Sequence, residues 1–349
     1  MSQRPRIYLD HAATTPILPA ARAAVADAME RWANPSSPHA EGRAARAALE
    51  DARERIRRAL GWSGELIFTS GATEAIDIAC AGFAPGEIAV SAIEHDALFR
   101  AAPGGRIIPA PGGQVDPAAL QPARLIAVQH ANNETGVLQP VDAVAARARE
   151  TGAIFLCDCA QSAGKLPLPD ADLICIASHK LGGPPGVGAL LVRDLAVLRP
   201  RGGQERGYRG GTQNLPAMIG FAAALEAGED WMGRAAELRS RLEQRLCAAG
   251  AEIVAKDAKR IDTIGACRMP GVLSQAQLIH FDLAGIAVSA GSACSSGTMK
   301  VSHVLAAMGW SEQAAREVVR ISFGPHTTAA EVDAFCDAWE QLAERRRAA

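Results

Sequence analysis

Lys180, in the triplet "SHK" (178–180), ends one short apolar run and opens a Gly/Pro-rich loop that returns as another. At a strand end such a lysine is partly buried, and burial lowers its pKa until a free amine is available as nucleophile or base. A Schiff-base lysine is one reading, and a surface lysine before a turn is the other. Asp158 closes an earlier run, "AIFLCD", about twenty residues before Lys180. A carboxylate beside such a lysine is what the ring nitrogen of pyridoxal phosphate requires, while a plain turn or helix cap ahead of "CAQSAGK" remains open. In "FTSGATEA" (68–75) a strand leads through Ser-Gly-Ala-Thr into a helix, so backbone N–H groups and the Thr73 hydroxyl can cradle a phosphate. A glycine turn and a capping threonine also open ordinary helices. Taken together, the three stretches supply phosphate, ring-nitrogen and aldehyde contacts for one cofactor.

Three further residues stand out by type and setting. His95 follows the strand "EIAVS", where an imidazole can lie against a flat ring and exchange protons near neutral pH. Arg320 sits inside the apolar strand pattern "EVVRISFGP", where an unpaired guanidinium is costly, so a carboxylate partner is expected from the protein or from a substrate. Cys294 lies in "SAGSACSSGTMKVS" (289–302), a run of small and polar residues without apolar periodicity. Packing cysteines are usually flanked by Val, Ile or Leu. This composition suits an exposed loop from which a thiol can reach something.

The elements that must position these residues alternate. From about residue 64, "ELIFTS", "RLIAVQH", "AIFLCD", "ADLICIAS" and "GVGALLVR" are short β-rich runs interleaved with helical segments. The pattern predicts an α/β unit with a parallel sheet covered on both faces. In such a sheet the ligand sits beyond the strand C-termini, and the candidate residues do follow strands. The stretch from "GTQNLP" to "CAAG" reads as one long helical segment ended by Gly250. After it, short strands and amphipathic helices predict a second unit. Its last helix, in "TTAAEVDAFCDAWEQLAERRRAA", would be entered by a threonine cap with Glu331 in its first turn. The Pro/Gly cluster 101–114 reads as surface turns.

Composition bounds the rest. The chain has 349 residues, enough for one large and one smaller core, and a net charge of −2 with scattered basic residues. Neither nucleic acid nor a membrane surface is expected as a partner. The N-terminus lacks the apolar core of a signal peptide, and no run of about 18 apolar residues occurs. A cytoplasmic protein with reduced thiols is expected. Eight cysteines are spread along the chain, and the C-x-C at Cys157 and Cys159 has no second Cys or His pair at finger-like spacing, so no metal is expected.

The ordered set "IYLDHAATTP", "NPSSPH", "FTSGATEA", "EHDA", "ANNETG", "DCAQSAGK", "SHK", "RGGQERGYRGGT", "SAGSACSSG" and "VRISFG" resembles the pyridoxal-phosphate-dependent cysteine desulfurases of the NifS/IscS type, within the class V aminotransferase-like group. Nearly the whole chain is covered. The resemblance implies an α/β fold of the aspartate aminotransferase-like type I. A large, mainly parallel-sheet domain (15–245) would stand beside a smaller α+β domain (1–14 plus 246–349) that carries the cysteine loop. It implies that Lys180 carries the cofactor as a Schiff base, Asp158 pairs with the pyridine nitrogen, Gln161 meets the phenolic oxygen and His95 stacks on the ring. Ala72, Thr73 and His179 would hold the phosphate, with Thr212 reaching it from the other subunit of a homodimer. Asn133 would lie beside the cofactor, and Asn34 and Arg320 would take the substrate carboxylate.

Cys294 would accept sulfur from L-cysteine as a persulfide, leaving L-alanine, and pass it to an acceptor such as an iron–sulfur scaffold. The same thiol is a candidate transient cluster ligand. Two departures matter. Ala177 stands where the family usually has a phosphate-binding serine, so either Ser178 substitutes or that hydrogen bond is missing, and Asp77 replaces a common Asn. The alternatives are a lyase preferring selenocysteine and a non-catalytic cluster scaffold on the same fold.

Overall fold

The structure is a computed structural model describing residues 6–31, 33–84, 86–228, 230–291 and 301–348. Its strands, in chain order, are β1 (Ile7–Tyr8), β2 (Glu65–Thr69), β3 (Ile88–Ser91), β4 (Arg106–Ile108), β5 (Leu125–Ala127) and β6 (Ile154–Asp158). They continue with β7 (Leu173–Ala177), β8 (Gly188–Val192), β9 (Glu252–Ile253), β10 (Ile264–Arg268), β11 (Ile286–Ala287) and β12 (Val318–Ser322). The main sheet runs β2-β8-β7-β6-β5-β3-β4. From β4 to β7 every pairing is parallel, and β8 alone runs antiparallel to both β7 and β2. The short Gly/Pro loop after Lys180 explains β8. It holds no crossover helix, so the chain can only turn back.

Every residue of β7 and β8 is buried, as expected for strands covered on both faces. On one face Phe68, Ile126, Phe155, Ile174 and Leu191 pack with Leu49, Ile56 and Phe221. On the other, Ile67, Val90, Leu156, Leu173 and Leu190 meet Ile76 and Ile78. The alternation is the strand period of two in side-chain form.

A second core forms around the antiparallel sheet β12-β10-β9. It draws Leu9 from the start of the chain, because β1 pairs in parallel with β11 and the next residues bridge to Ser322. The long helical segment expected over 211–250 is in fact two helices, Leu215–Glu226 and Met232–Ala248. Between them Gly228 follows the first helix, and Asp230 accepts the Met232 N–H at 3.3 Å, a cap that restarts the second. This second helix gives Ala235, Leu238, Leu242 and Leu246 to the second core. The last helix begins as expected: Thr328 N–H donates to Glu331 (2.8 Å), and Glu331 N–H donates to the Thr328 hydroxyl (3.3 Å). The cluster 101–114 differs from expectation. It contains β4, the edge strand of the main sheet, where glycines and prolines surround three residues of sheet.

The "RGGQERGYRGGT" loop is fastened from below. Glu205, buried with φ of +48°, accepts from Arg53 at 2.7 and 3.2 Å, from Phe68 N–H at 2.9 Å and from Gln213 at 3.2 Å. The Arg53 side chain is only 5% exposed and also donates to the Leu66 carbonyl at 2.6 Å. Glu205→Ala leaves the buried Arg53 guanidinium with Glu50, whose Oε2 accepts from Nε at 2.9 Å, as its remaining carboxylate. We expect it to cost about 2–3 kcal/mol in urea unfolding, with Glu205→Gln costing clearly less because it keeps the acceptor.

Candidate active site

Five strand ends converge on one cavity of about 860 Å³. β2 delivers Gly71, Ala72 and Thr73, β3 delivers His95, β5 delivers Asn133, β6 delivers Asp158 and Gln161, and β7 delivers His179 and Lys180. All lie beyond the C-terminal ends of their strands, where an open α/β sheet leaves its crevice. Arg320 of β12 lines the far wall.

Lys180 ends a tight turn after β7, and its Nζ donates to the carbonyls of Ala12 (2.6 Å) and Ala13 (2.7 Å). Burial and the nearby Arg320 cation push its pKa down to about 8, while Asp10 and Asp158 pull it upward. The amine is thus closer to neutrality than an exposed lysine. Asp158 is buried, and its Oδ1 accepts the Ala160 N–H at 2.8 Å. Burial raises its pKa against the opposing pull of that N–H, His95 and Lys180. A carboxylate in this state gains from any further cation brought against it.

His95 caps the helix Asp96–Ala101, its Nδ1 accepting the Ala97 N–H at 3.1 Å. The neutral ring therefore carries its proton on Nε2. His179 Nδ1 lies 3.1 Å from the Thr14 hydroxyl, and burial with the Lys180 charge lowers its pKa to about 4, so it works as a neutral imidazole. Gln161 Nε2 donates to Ala12 O at 3.0 Å, and its Oε1 is buried without a partner. Arg320 finds the carboxylate its setting demanded in Asp10: Nη2 donates to Oδ1 at 2.7 Å, and Nη1 donates to the Asn133 carbonyl at 2.9 Å.

Three expected residues are not brought to this cavity. Ser178 is fully buried beneath Gly183, where an added Cβ would overlap its Oγ, and Ala177 faces the cavity instead. Successive residues leaving a strand point to opposite sides, so the serine one position late is turned away and does not substitute. Asn34 is exposed, with Oδ1 accepting the Ser36 N–H at 2.9 Å, and Thr212 is exposed as well. Beside Asn34, the Ser36 hydroxyl donates to Gln204 at 3.1 Å. Cys294 lies outside the described residues. The residues on either side of 292–300, Gly291 and Val301, both line the cavity. Asp77 also stays outside it.

Sequence reasoning missed the second wall. Asp10 and the carbonyls of Ala12 and Ala13 come from "IYLDHAATTP", a stretch conspicuous in the sequence whose chemistry is mostly backbone. Glu134, from "ANNETG", accepts the Ser302 hydroxyl at 2.6 Å, and Ser302 caps the helix His303–Ala307. That contact pins the chain just after Val301 to the cavity wall.

Residues 7–335 match the family model described as aminotransferase class V. A cysteine desulfurase of Cereibacter sphaeroides is 37% identical, with 98% of this chain and 97% of that protein covered. The cysteine desulfurase IscS of Dictyoglomus turgidum is 35% identical, covering 98% and 95%. Among solved structures, a NifS-like protein from Rickettsia africae superposes with a TM-score of 0.89 at 32% identity, covering 97% of this chain and 99% of that one. Matched over almost its full length in sequence and in backbone, and with the cavity where such enzymes must have one, this chain belongs to the cysteine desulfurase family of the class V aminotransferases.

Proposed function

We propose that this protein is a pyridoxal-phosphate-dependent cysteine desulfurase. It converts L-cysteine to L-alanine and holds the sulfur as a persulfide on Cys294 for an acceptor protein, such as an iron–sulfur scaffold. The observation that carries this reading is a single cavity lined by Lys180, Asp158, Arg320 and both flanks of the 292–300 segment.

The donor set suits the cofactor. Lys180 offers an amine near neutrality, and Asp158 offers the counter-charge for a ring nitrogen. Gln161, with its amide oxygen lacking a partner, can present either amide end to a phenolic oxygen. Ala72 and Thr73 at the N-terminus of the helix Ala72–Cys80, with neutral His179, suit a phosphate. Gly188 makes room for that cradle: an added Cβ would overlap the Ile176 carbonyl and stand 2.7 Å from Gly71 Cα. Both are backbone atoms that cannot yield locally. Gly188→Ala is expected to weaken cofactor uptake by the apoprotein at least about tenfold in a fluorescence titration.

When bound, pyridoxal phosphate withdraws electrons from the α-carbon of the amino acid and loosens its proton. Lys180 takes that proton at Nζ. Arg320 orients the substrate carboxylate, Asn133 lies beside the cofactor, and His95 holds a transferable proton at Nε2. The Cys294 thiolate attacks the substrate sulfur: an S–S bond forms, the C–S bond breaks, and its electron pair passes to the β-carbon, which is protonated to the methyl group of alanine. Ser178 makes no phosphate contact in this scheme.

Asn34 and Thr212 are both exposed and neither lines its own chain's cavity, which suits a symmetric homodimer in which Thr212 completes the partner's phosphate site. A cytoplasmic location without nucleic-acid or membrane partners belongs to the same reading. Among the described residues, no helix is long and apolar enough to cross a membrane.

The test is mass spectrometry of the holoenzyme after incubation with L-cysteine. The Cys294 peptide should gain one sulfur, and should not in Lys180→Ala. Cys294→Ala should lose at least about 10²-fold of L-cysteine turnover while keeping a borohydride-sensitive visible band. Selenium release from L-selenocysteine, with no sulfur on Cys294, would establish the lyase reading. Iron–sulfide absorbance without the borohydride-sensitive band would establish the scaffold.

A further inference from the structure

We propose that Asp10 positions Arg320 and, through its own charge, restricts the site to amino acids whose side chain carries no second carboxylate. The inference rests on the reading of Arg320 as the seat of the substrate α-carboxylate. Both residues line the cavity, with side chains 20% and 8% exposed, and the Oδ1 to Nη2 distance is 2.7 Å. Their backbones are held from both sides. Asp10 bridges Ser322, and Arg320 exchanges two hydrogen bonds with Ser289, at 2.7 and 3.1 Å. The ion pair is therefore built into the sheet rather than made by two wandering side chains.

A guanidinium offers five N–H donors. Here Nη2 is engaged by Asp10, Nη1 by the Asn133 carbonyl, and Nε is buried without a partner among the described residues. Two directions of the fork are fixed, and the uncommitted N–H groups remain for an incoming carboxylate, already oriented. The charge count is as informative as the geometry. Asp10 neutralises Arg320 before substrate arrives, so the α-carboxylate restores one net negative charge around the cation. A second carboxylate on the substrate would be a third anion around the same group, in a cavity whose described lining carries Asp10, Glu74, Asp96, Glu134 and Asp158 against only Arg100, Lys180 and Arg320. L-Cysteine meets no such repulsion, whereas L-aspartate does.

The experiment compares wild type, D10N and D10A holoenzymes. The probes are L-cysteine turnover and the dissociation constants of L-alanine and L-aspartate, read from the visible spectrum. Asn keeps an acceptor for Nη2 and drops the charge. D10N should keep the L-cysteine KM within about threefold and shift the L-aspartate to L-alanine affinity ratio at least about tenfold toward aspartate. D10A should raise the L-cysteine KM about tenfold or more with kcat within about threefold, and D10N should rescue that rise. An unchanged affinity ratio in D10N overturns the proposal, as does a fall in kcat at unchanged KM. Should D10A fail to fold, the D10N ratio alone decides. Should wild type bind L-alanine yet leave L-cysteine unconverted, the desulfurase reading fails while the binding ratio still tests Asp10.

Discussion

Replacing Lys180 with alanine is expected to abolish L-cysteine turnover by about 10⁴-fold or more, with the fold retained and with added cofactor removable by gel filtration. The residue is asked for two tasks at one atom, anchoring the cofactor and moving the α-proton, and among the described residues no other lysine lines this cavity, the buried Lys165 nearby included. The His179 imidazole, its pKa lowered to about 4, is a weak base, and the His95 Nδ1 lone pair is taken by the Ala97 N–H, so neither replaces a lysine amine at that place. The pH behaviour of the wild-type apoprotein is a second check. Below a pKa of about 8, Lys180 is an ammonium donating to the Ala12 and Ala13 carbonyls, and an ammonium has no lone pair to give. Cofactor capture, followed by stopped-flow absorbance, should accelerate as pH rises through about 8 and level off above it. A rate independent of pH between about 7 and 9 would contradict the lowered pKa.

Asp158→Asn should cost about 10²–10³-fold in kcat, because an amide cannot keep a ring nitrogen protonated and the electron sink is lost. The same substitution should act in the opposite direction on the ligand-free protein. Burial raises the folded-state pKa of Asp158 above its unfolded value. Above the unfolded pKa the buried carboxylate therefore detracts from stability, and that penalty grows as pH rises through the folded pKa. At pH 8 the apo variant should melt no lower than wild type, and cofactor should stabilise it less. A variant that melted lower in the apo form would show that the Ala160 N–H, not burial, governs this carboxylate.

Much of this arrangement was legible in the residues. The β-rich runs gave the strands of the main sheet, and the residues after them line the cavity, because strand ends and crevice coincide in this architecture. What escaped had local causes. β4 hides among glycines and prolines that signal turns on either side of it. The split at 227–231 was masked by continuous helix formers, although Gly228 followed by Asp230 is a stop and a start in three residues. Ser178 was a candidate because sequence proximity ignores which way a side chain leaves its strand. The Ala12 and Ala13 carbonyls could not be read at all, since every residue has one. Asn34 and Thr212 are exposed and stand apart from the cavity, which residue type and spacing alone do not reveal.

The pairing of β1 with β11, and of Asp10 with Ser322 and Arg320, also sets a schedule for biosynthesis. The residues that park the Lys180 amine leave the ribosome first, yet their seat is made of strands translated far later, β12 more than three hundred residues on. The large sheet can close on the nascent chain while its reactive amine still lacks that wall. A product truncated before β11 would carry the lysine without the strands that seat the carbonyls holding it in place.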